Sequence, residues 1–235
     1  MTAATLASEP LILSANIRRA AACIQFMKDA GRHYVAGNRA LAAFFGQASI
    51  RPVIGRRTTD FFDDEIVRRY DELDAVISDG YTLIDRFDYT YDHSGHCRWF
   101  LYARCRFERD GETFARGISY PLPDNRQARQ VYRRLDIATR TISDRLDVKL
   151  DVGDIAEAAA CSVAQLERDF NAVLAQTPKQ YRARLRVQRA IDAIRAGRSL
   201  TDAALEAGYS EHSALTRAFK AATGLTPRDF RATLS

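Results

Sequence analysis

Hydrophobic and polar positions alternate with a period of two between residues 81 and 120. Three long stretches there are rich in aromatic and β-branched residues, and short turns containing glycine separate them. This pattern predicts three antiparallel strands. In the middle strand, alternation places one set of residues on a buried face and three arginines on the other, which predicts a half-buried sheet. The buried set is Cys97, Trp99, Leu101, Ala103, Cys105 and Phe107, and the arginines are Arg98, Arg104 and Arg106.

Shorter elements precede these strands. The pattern predicts strands near residues 24–27 and 33–35, a short helix within residues 38–45 and a longer helix over residues 63–78. Antiparallel strands combined with a few helices are typical of an α+β domain. We assign residues 1–122 to this domain.

A charged helix is predicted over residues 125–147. Its apolar residues recur at alternating spacings of three and four, at Ala128, Val131, Leu135, Ala138 and Ile142. A short stripe of this kind either packs on its own domain or forms a seam with a second chain. Residues 123–147 are therefore interpreted as a helical linker that is a candidate dimer coiled coil.

The rest of the chain, residues 148–235, is helical and repeats itself. The first copy contains Leu166, Arg168, Phe170, Thr177, Pro178, Tyr181 and Arg182, and the second, 49 residues later, contains Leu215, Arg217, Phe219, Thr226, Pro227, Phe230 and Arg231. Each copy begins with a short alanine-rich helix followed by a turn. The repeat predicts two similar supersecondary structures in an all-α domain.

One helix in each copy carries a polar face opposite its buried residues. With helices beginning near Ser162 and after a Ser210 cap, these faces consist of Ala164, Glu167, Arg168 and Asn171 in the first copy, and Ser213, Thr216, Arg217 and Lys220 in the second, with His212 at the edge. Such side chains suit base edges and phosphates. A lone polar face is usually only solvated, but its repetition at a fixed offset favours double-stranded DNA as the partner.

The C-terminal residues resemble the AraC/XylS family of bacterial transcription regulators. The resemblance rests on the stretch from Ala207 to Arg231, with Gly208, Tyr209, Ser210, Ser213, Arg217, Phe219, Lys220, Gly224, Thr226, Pro227 and Phe230 at the family's positions. It implies two helix-turn-helix units joined by a long helix over residues 178–196, which Thr177 caps. It also implies binding in successive major grooves, a homodimer, and contact with RNA polymerase. Because Ala160 replaces glycine in the first turn, we expect that turn to have a different shape.

The N-terminal residues resemble a PAS domain. The resemblance rests on the order of the elements, on HYVAGNRALAAFFG at residues 33–46 and on VIGRRTTDFF at residues 53–62. It implies a sensor that binds a small-molecule effector or, alternatively, a domain that only dimerises. Candidate pocket residues are Phe45, Tyr89, Tyr91 and Trp99, although large aromatic residues also form ordinary cores.

Specific cofactors and metals are not predicted. The position of the reactive cysteine in flavin-binding PAS photoreceptors is occupied by Thr58, and the long helix lacks the histidine that heme-binding PAS domains commonly carry there. His93, His96 and Cys97 are favoured as turn residues over metal ligands. The motifs of phosphate-binding loops, nucleophile elbows and zinc proteases are absent, and the dispersed cysteines do not match the zinc-binding alkyl-transfer domains fused to some AraC/XylS regulators. We expect no enzymatic activity.

Composition bears on the cellular location of the protein and on where its positive charge lies along the chain. The four cysteines lack C-x-x-C spacing, which fits a reducing cytoplasm, and neither a signal peptide nor a membrane anchor is predicted from the apolar stretch at residues 6–17. Residues 1–122 carry 16 basic and 16 acidic residues, whereas residues 148–235 carry 13 and 10. The positive excess lies in the region expected to approach phosphates.

Overall fold

A computed structural model describes residues 23–62 and 64–234, except for the side chains of residues 64 and 65. The apolar stretch at residues 6–17, for which neither a signal peptide nor a membrane anchor is predicted, lies outside these residues, as do the first 22 residues of the predicted N-terminal domain. The described chain divides into two compact units, one ending at Tyr132 and the other beginning at Arg133. The second unit therefore begins 15 residues before the predicted boundary at 148.

The N-terminal unit is built on one five-stranded sheet. Its strands are β1 (Ile24–Asp29), β2 (Tyr34–Gly37), β3 (Leu83–Tyr91), β4 (Cys97–Arg109) and β5 (Glu112–Pro121). They lie in the order β2-β1-β5-β4-β3, and every neighbouring pair is antiparallel. The predicted antiparallel sheet is confirmed.

Two helices accompany the sheet. Helix α1 (Arg39–Phe44) begins where the Asn38 side chain accepts a hydrogen bond from the backbone N–H of Leu41 at 3.1 Å. Helix α2 (Asp64–Ser78) is the longer helix that periodicity predicts, and the predicted first residue, 63, is outside the described residues. The α+β interpretation of this unit is therefore correct.

The middle strand β4 is buried on both faces, so the prediction of a half-buried sheet is wrong there. Every residue from Trp99 to Cys105 is buried, including Arg104 at 5% exposure. The reason is a contact with a segment that is distant in sequence. Asp74 on α2 accepts a hydrogen bond from Arg104 Nη1 at 3.1 Å, so the arginine that should have faced solvent is paired beneath a helix.

The C-terminal unit is helical. Its elements are α3 (Arg126–Asp144), which the unit boundary crosses, α4 (Val152–Ala158), α5 (Val163–Leu174), α6 (Pro178–Arg195), α7 (Leu200–Glu206), α8 (His212–Thr223) and α9 (Pro227–Ala232). As predicted, Thr177 caps α6 by accepting from the backbone N–H of Gln180, and proline occupies the first turn.

The apolar stripe of α3 is largely occupied by the chain itself. Leu135, Ala138 and Ile142 are each 0% exposed, whereas Ala128 and Val131 are partly buried. Of the two alternatives for this stripe, the structure therefore shows packing within the chain at these three positions. They are not available to a second chain without unpacking.

None of the helices in the described residues is both long and apolar enough to cross a membrane.

Candidate nucleic-acid interface

Two helix pairs follow each other in the C-terminal unit. We call α4 with α5 the first helix pair and α7 with α8 the second. Each has a left-handed residue in its turn, Ala160 at φ 52° and Gly208 at φ 76°. The backbone hydrogen bonds also match, since Ala160 N donates to Glu157 O at 2.9 Å and Gly208 N donates to Leu205 O at 2.8 Å. The expectation of a differently shaped first turn is wrong, because the alanine adopts the conformation that glycine prefers.

Repeated aromatic residues fix α5 and α8 against the helices that follow them. Phe170 on α5 and Tyr181 on α6 have ring centroids 5.7 Å apart, and Phe219 on α8 and Phe230 on α9 have centroids 5.6 Å apart. All four side chains are at most 1% exposed. These repeated positions form the core that orients each exposed helix.

Repeated arginines have a structural role as well. Arg182 Nη1 donates to the Leu150 carbonyl at 2.9 Å, and Arg231 donates from Nη2 to the Arg198 carbonyl. Burial, together with the nearby Arg186, lowers the pKa of Arg182. Both arginines thus bind the backbone that leads into a helix pair, and neither belongs to the polar faces.

The polar residues proposed from the sequence lie on the surface of α5 and α8. On α5 these are Ala164, Glu167, Arg168 and Asn171, and on α8 they are His212, Ser213, Thr216, Arg217 and Lys220. All are exposed apart from Thr216, which is partly buried. The structure therefore brings each set together on one helix and leaves it accessible, while base and phosphate contacts stay a prediction.

The face of α8 is lightly constrained. Thr216 Oγ1 donates to the His212 carbonyl at 2.9 Å, and the Ser213 hydroxyl donates to Glu211 at 3.1 Å. Among the described residues, none pairs with the Arg217 guanidinium. Its donors are therefore free to meet a partner outside the chain.

The side chains on the face of α5 are linked to one another by consecutive hydrogen bonds. Arg168 Nη2 donates to Gln165 Oε1 at 2.8 Å, and Gln165 Nε2 in turn donates to Asp169 Oδ1 at 2.7 Å. Asp169 also pairs with Arg134 on α3, whose Nη2 lies 2.7 Å from Asp169 Oδ2. The side chain of Asp169 is 6% exposed and that of Arg134 is 16% exposed, so this is a buried ion pair.

Sequence reasoning missed this ion pair. Asp169 lies among charged residues, and its partner is 35 residues upstream in the helix that the sequence predicts to be a linker. The available signal was the break in the repeat, because position 218 of the second copy, 49 residues later, is alanine. A charged residue that occurs in only one copy, next to the core, is expected to pair with an opposite charge from another segment, because an unpaired buried charge is costly.

The helix starts differ from the prediction in one place. Ser162 accepts from the backbone N–H of Gln165 at 3.2 Å and so caps α5 as expected. The predicted Ser210 cap is wrong, because the cap of α8 is Glu211, whose side chain makes no capping hydrogen bond. The second copy carries one extra residue at this point, which moves the serine out of the capping position.

The four candidate pocket residues do not form one pocket. Phe45 lines a cavity together with Phe100, whereas Trp99, its neighbour on β4, points to the opposite face of the sheet by strand alternation. There Trp99 packs against Tyr89, with ring centroids 5.3 Å apart, and Tyr91 is 45% exposed. Within the described ranges, no group of three histidine, cysteine, aspartate or glutamate residues is placed to hold a metal ion.

Solved structures similar to the chain include AraC-type domains. A transcriptional regulator from Chromobacterium violaceum, described as containing an AraC-type DNA-binding domain, is 26% identical, covers 47% of this chain and 97% of its own, and has a TM-score of 0.42. The DNA-binding domain of AdpA, a global transcriptional factor in complex with a target DNA, is 22% identical, covers 43% and 91%, and has a TM-score of 0.40.

A family model and curated relatives match the same end of the chain. Residues 155–233 match a family described as a helix-turn-helix domain. A protein of Streptomyces lividans described as an AraC-like transcription regulator is 38% identical over 81 residues, which are 34% of this chain and 27% of that protein. The regulatory protein ada of Salmonella typhimurium is 34% identical over 112 residues, 46% of this chain and 31% of that protein. The chain thus spans less than a third of these relatives, and its C-terminal region contains a helix-turn-helix domain that is similar in sequence to part of an AraC-like regulator.

Proposed function

We propose that this protein is a sequence-specific DNA-binding transcription regulator of the AraC/XylS type and not an enzyme. The observation that carries the proposal is the pair of polar, exposed faces on α5 and α8, each fixed in the same way by a turn and an aromatic core. The match of residues 155–233 to a helix-turn-helix family supports it. So do the relatives, which are described as regulators.

The side chains of the two faces suit direct readout. An arginine such as Arg217 or Arg168 can donate two hydrogen bonds to guanine, and Glu167 can accept from the amino group of cytosine. Lys220 suits a phosphate as a point charge. In this proposal the two helices read successive major grooves on one face of the duplex, about 34 Å apart.

The N-terminal unit is proposed to be a PAS-like sensor or dimerisation domain. Two short strands, a short helix, a longer helix and three long antiparallel strands follow each other in the order on which the PAS resemblance rests. A signal there would alter how a homodimer engages DNA and RNA polymerase. Any dimer interface has to use residues other than Leu135, Ala138 and Ile142, because these are buried within the chain.

DNA binding is tested by selecting a preferred site from random duplexes and measuring fluorescence anisotropy with the Arg217→Ala variant. If Arg217 reads a base, we expect a loss of about 1–3 kcal/mol on the selected site and relaxed specificity at one position. If it contacts a phosphate, binding weakens equally on selected and random DNA, and the salt dependence decreases.

The matched control for this experiment is Arg109→Ala. Arg109 is an exposed arginine in the β4–β5 hairpin that pairs with Asp110, so the variant removes the same charge without touching either polar face. We expect unchanged binding. If Arg217→Ala binds both DNAs as the wild type does, Arg217 is not part of the interface, and the absence of any preferred duplex would contradict the proposal as a whole.

The state of the N-terminal unit is tested by native mass spectrometry of the full chain. A dimer without added mass favours the dimerisation role, and a retained small molecule favours the sensor role. A monomer without added mass contradicts the mechanism that acts through dimer geometry.

A further inference from the structure

One arginine of the proposed DNA-reading faces is held by a series of side-chain contacts. Arg168 on α5 donates from Nη2 to Gln165 Oε1 at 2.8 Å, and Gln165 Nε2 donates to Asp169 Oδ1 at 2.7 Å. Arg134 on α3 completes the series, since its Nε lies 2.8 Å and its Nη2 lies 2.7 Å from Asp169 Oδ2. We call these residues the Arg168 network.

The order of these bonds fixes the orientation of the Gln165 amide. A carboxylate can only accept hydrogen bonds, so Asp169 requires the NH2 group of Gln165 and not its oxygen. The oxygen of the same amide is then left to accept from Arg168. Both bonds from Arg134 go to Asp169 Oδ2, which leaves Oδ1 to Gln165. Each contact of the network therefore determines the next one.

Burial decreases along the network from the ion pair to the surface. The side chains of Asp169 and Arg134 are 6% and 16% exposed, whereas Gln165 is half-buried and Arg168 is exposed. Cys161 borders the ion pair, but burial raises the pKa of its thiol, which is therefore neutral at physiological pH and adds no charge. Because separating a buried ion pair is costly, the network connects an exposed guanidinium to a fixed point inside the unit.

The second helix pair cannot form such a network. At the positions of the amide and carboxylate members, 49 residues later, the sequence has Ala214 and Ala218, whose side chains carry no polar atom. The position of Arg168 itself is occupied by another arginine, Arg217. Holding this arginine in place is therefore a property of the first helix pair and not a requirement of the repeated fold.

We infer that Arg134 and Asp169 are positioning residues for base recognition by Arg168. They act through Gln165, whose bond uses only one of the guanidinium N–H donors and leaves others for guanine. A side chain that is already ordered loses less freedom when it meets its base, which strengthens binding to the preferred base over the others. The inference rests on the proposed function, and it assigns part of the sequence specificity to Arg134, which lies outside the helix-turn-helix match at residues 155–233.

The first measurement identifies the base that Arg168 reads. The preferred duplex selected with the wild-type full chain is changed to every other base at each position, and fluorescence anisotropy gives the affinity of each duplex. Arg168→Ala is expected to reduce discrimination between bases about 5- to 100-fold at one position. If it reduces discrimination at no position, the inference is wrong, because the network then holds a residue that reads no base.

The second measurement separates positioning from stability. Arg134→Met combined with Asp169→Leu removes both charges, so the double variant should recover most of the stability that Arg134→Met alone loses in urea. Gln165 then has no carboxylate to orient its amide. We expect discrimination at the Arg168 position to stay about 2- to 10-fold below that of the wild type, with other positions unchanged. If discrimination returns together with stability, the ion pair only stabilises the fold, and the inference is overturned.

Gln165→Met provides an independent variant that keeps the ion pair. Methionine has a similar length but neither amide group, so the contact with Arg168 is lost while Arg134 and Asp169 remain paired. We expect the same loss of discrimination at the Arg168 position, and no further loss when Gln165→Met is added to Arg168→Ala. Full discrimination in Gln165→Met overturns the inference, also where circular dichroism shows that the double variant does not fold.

The matched control is Arg133→Met. Arg133 is the exposed neighbour of Arg134 on α3, so this variant removes the same charge from the same helix and leaves the network intact. Its discrimination between bases should equal that of the wild type. An equal loss in Arg133→Met and in the network variants would show that charge and not position causes the effect, which contradicts the inference.

The positioning role and the proposed function fail in distinguishable ways. If the wild-type chain has no preferred duplex, the proposed function is contradicted, and the positioning role falls with it. If a preferred duplex exists and the network variants discriminate between bases as the wild type does, the proposed function stands and only the positioning role is overturned.

Discussion

The two helix pairs of the C-terminal unit reach the same backbone with different residues. In the first pair, alanine occupies the left-handed positions of the turn and of the end of α5, at Ala160 and Ala175, both with φ 52°. In the second pair, glycine occupies the equivalent positions, at Gly208 and Gly224. A left-handed alanine costs about 1–2 kcal/mol. The comparison shows that the surrounding core can impose a turn that the local residue disfavours.

The two pairs also differ in what holds their exposed helix. In the first, Asp169 on α5 pairs with Arg134 on α3, whereas the equivalent residue of α8, Ala218, packs on the apolar core. In the second, the turn approaches the backbone so closely that a Cβ on Gly208 would lie 2.3 Å from the Leu146 carbonyl oxygen. A buried ion pair therefore holds the first helix pair, and a close backbone contact holds the second.

The largest effect is expected from breaking the buried charge. Arg134→Met leaves the Asp169 carboxylate buried with only Gln165 as a partner, so we expect a loss of about 3–5 kcal/mol in the free energy of unfolding. Urea denaturation measures this. The double variant Arg134→Met with Asp169→Leu removes both charges and should recover most of the loss. A single variant as stable as the wild type would show that the ion pair does not hold α5.

The next effect comes from the close contact in the second turn. Gly208→Ala combines left-handed strain with a clash against a backbone atom, and we expect it to cost about 2–4 kcal/mol. Gly224→Ala is the matched control, because its φ is 80° and no atom lies within 4 Å of its added Cβ. That variant should lose only about 1 kcal/mol. Equal losses in the two variants would contradict the role of the Leu146 contact.

A smaller effect separates the two helix starts. Ser162→Ala removes the hydroxyl that caps α5 and should lower stability by about 1 kcal/mol. Ser210→Ala should change stability by less than about 0.5 kcal/mol, because Ser210 is exposed and is not the cap of α8. Thermal denaturation of both variants tests this contrast. A larger loss of stability in Ser210→Ala than in Ser162→Ala would support Ser210 as the cap of α8.

The smallest effect, and the only stabilising one, is expected at the first turn. Ala160→Gly removes left-handed strain at an exposed position, while glycine adds conformational entropy to the unfolded chain. We expect a net gain of about 0.5–1 kcal/mol in the free energy of unfolding. Destabilisation in urea would show that the alanine side chain contributes more by packing than its strain costs.

Much of the helical end could be predicted from the sequence, because its determinants are local or repeated. Thr177 with Pro178 defines the start of α6, and the offset of 49 residues aligns Phe170 with Phe219 in equivalent core positions. The exposed sides of α5 and α8 follow from helical periodicity once Leu166 is placed in the core. The antiparallel sheet was equally accessible from strand alternation.

The parts that could not be predicted depend on contacts between distant segments. Arg104 follows the alternation of a solvent-facing residue, yet it is buried because α2 brings Asp74 to it from 30 residues upstream. Asp169 is buried for the same kind of reason, through Arg134. The prediction that Phe45 and Trp99 share one pocket was also wrong. Both residues are aromatic, and neither composition nor spacing shows that they lie on opposite faces of the sheet.

The backbone between α3 and α4 determines where a stable C-terminal fragment can begin and how readily a protease can cleave the chain there. Arg186 donates to the Leu146 carbonyl from both Nε and Nη2, at 2.9 and 2.6 Å, and Arg182 reaches Leu150 from the same helix. A fragment that begins at residue 148 would lose the acceptor of Arg186, the contact of Gly208 and the partner of Asp169. A recombinant DNA-binding fragment should therefore begin at or before residue 133, and a protease should find the segment at 146–150 a poor substrate despite its lack of regular secondary structure.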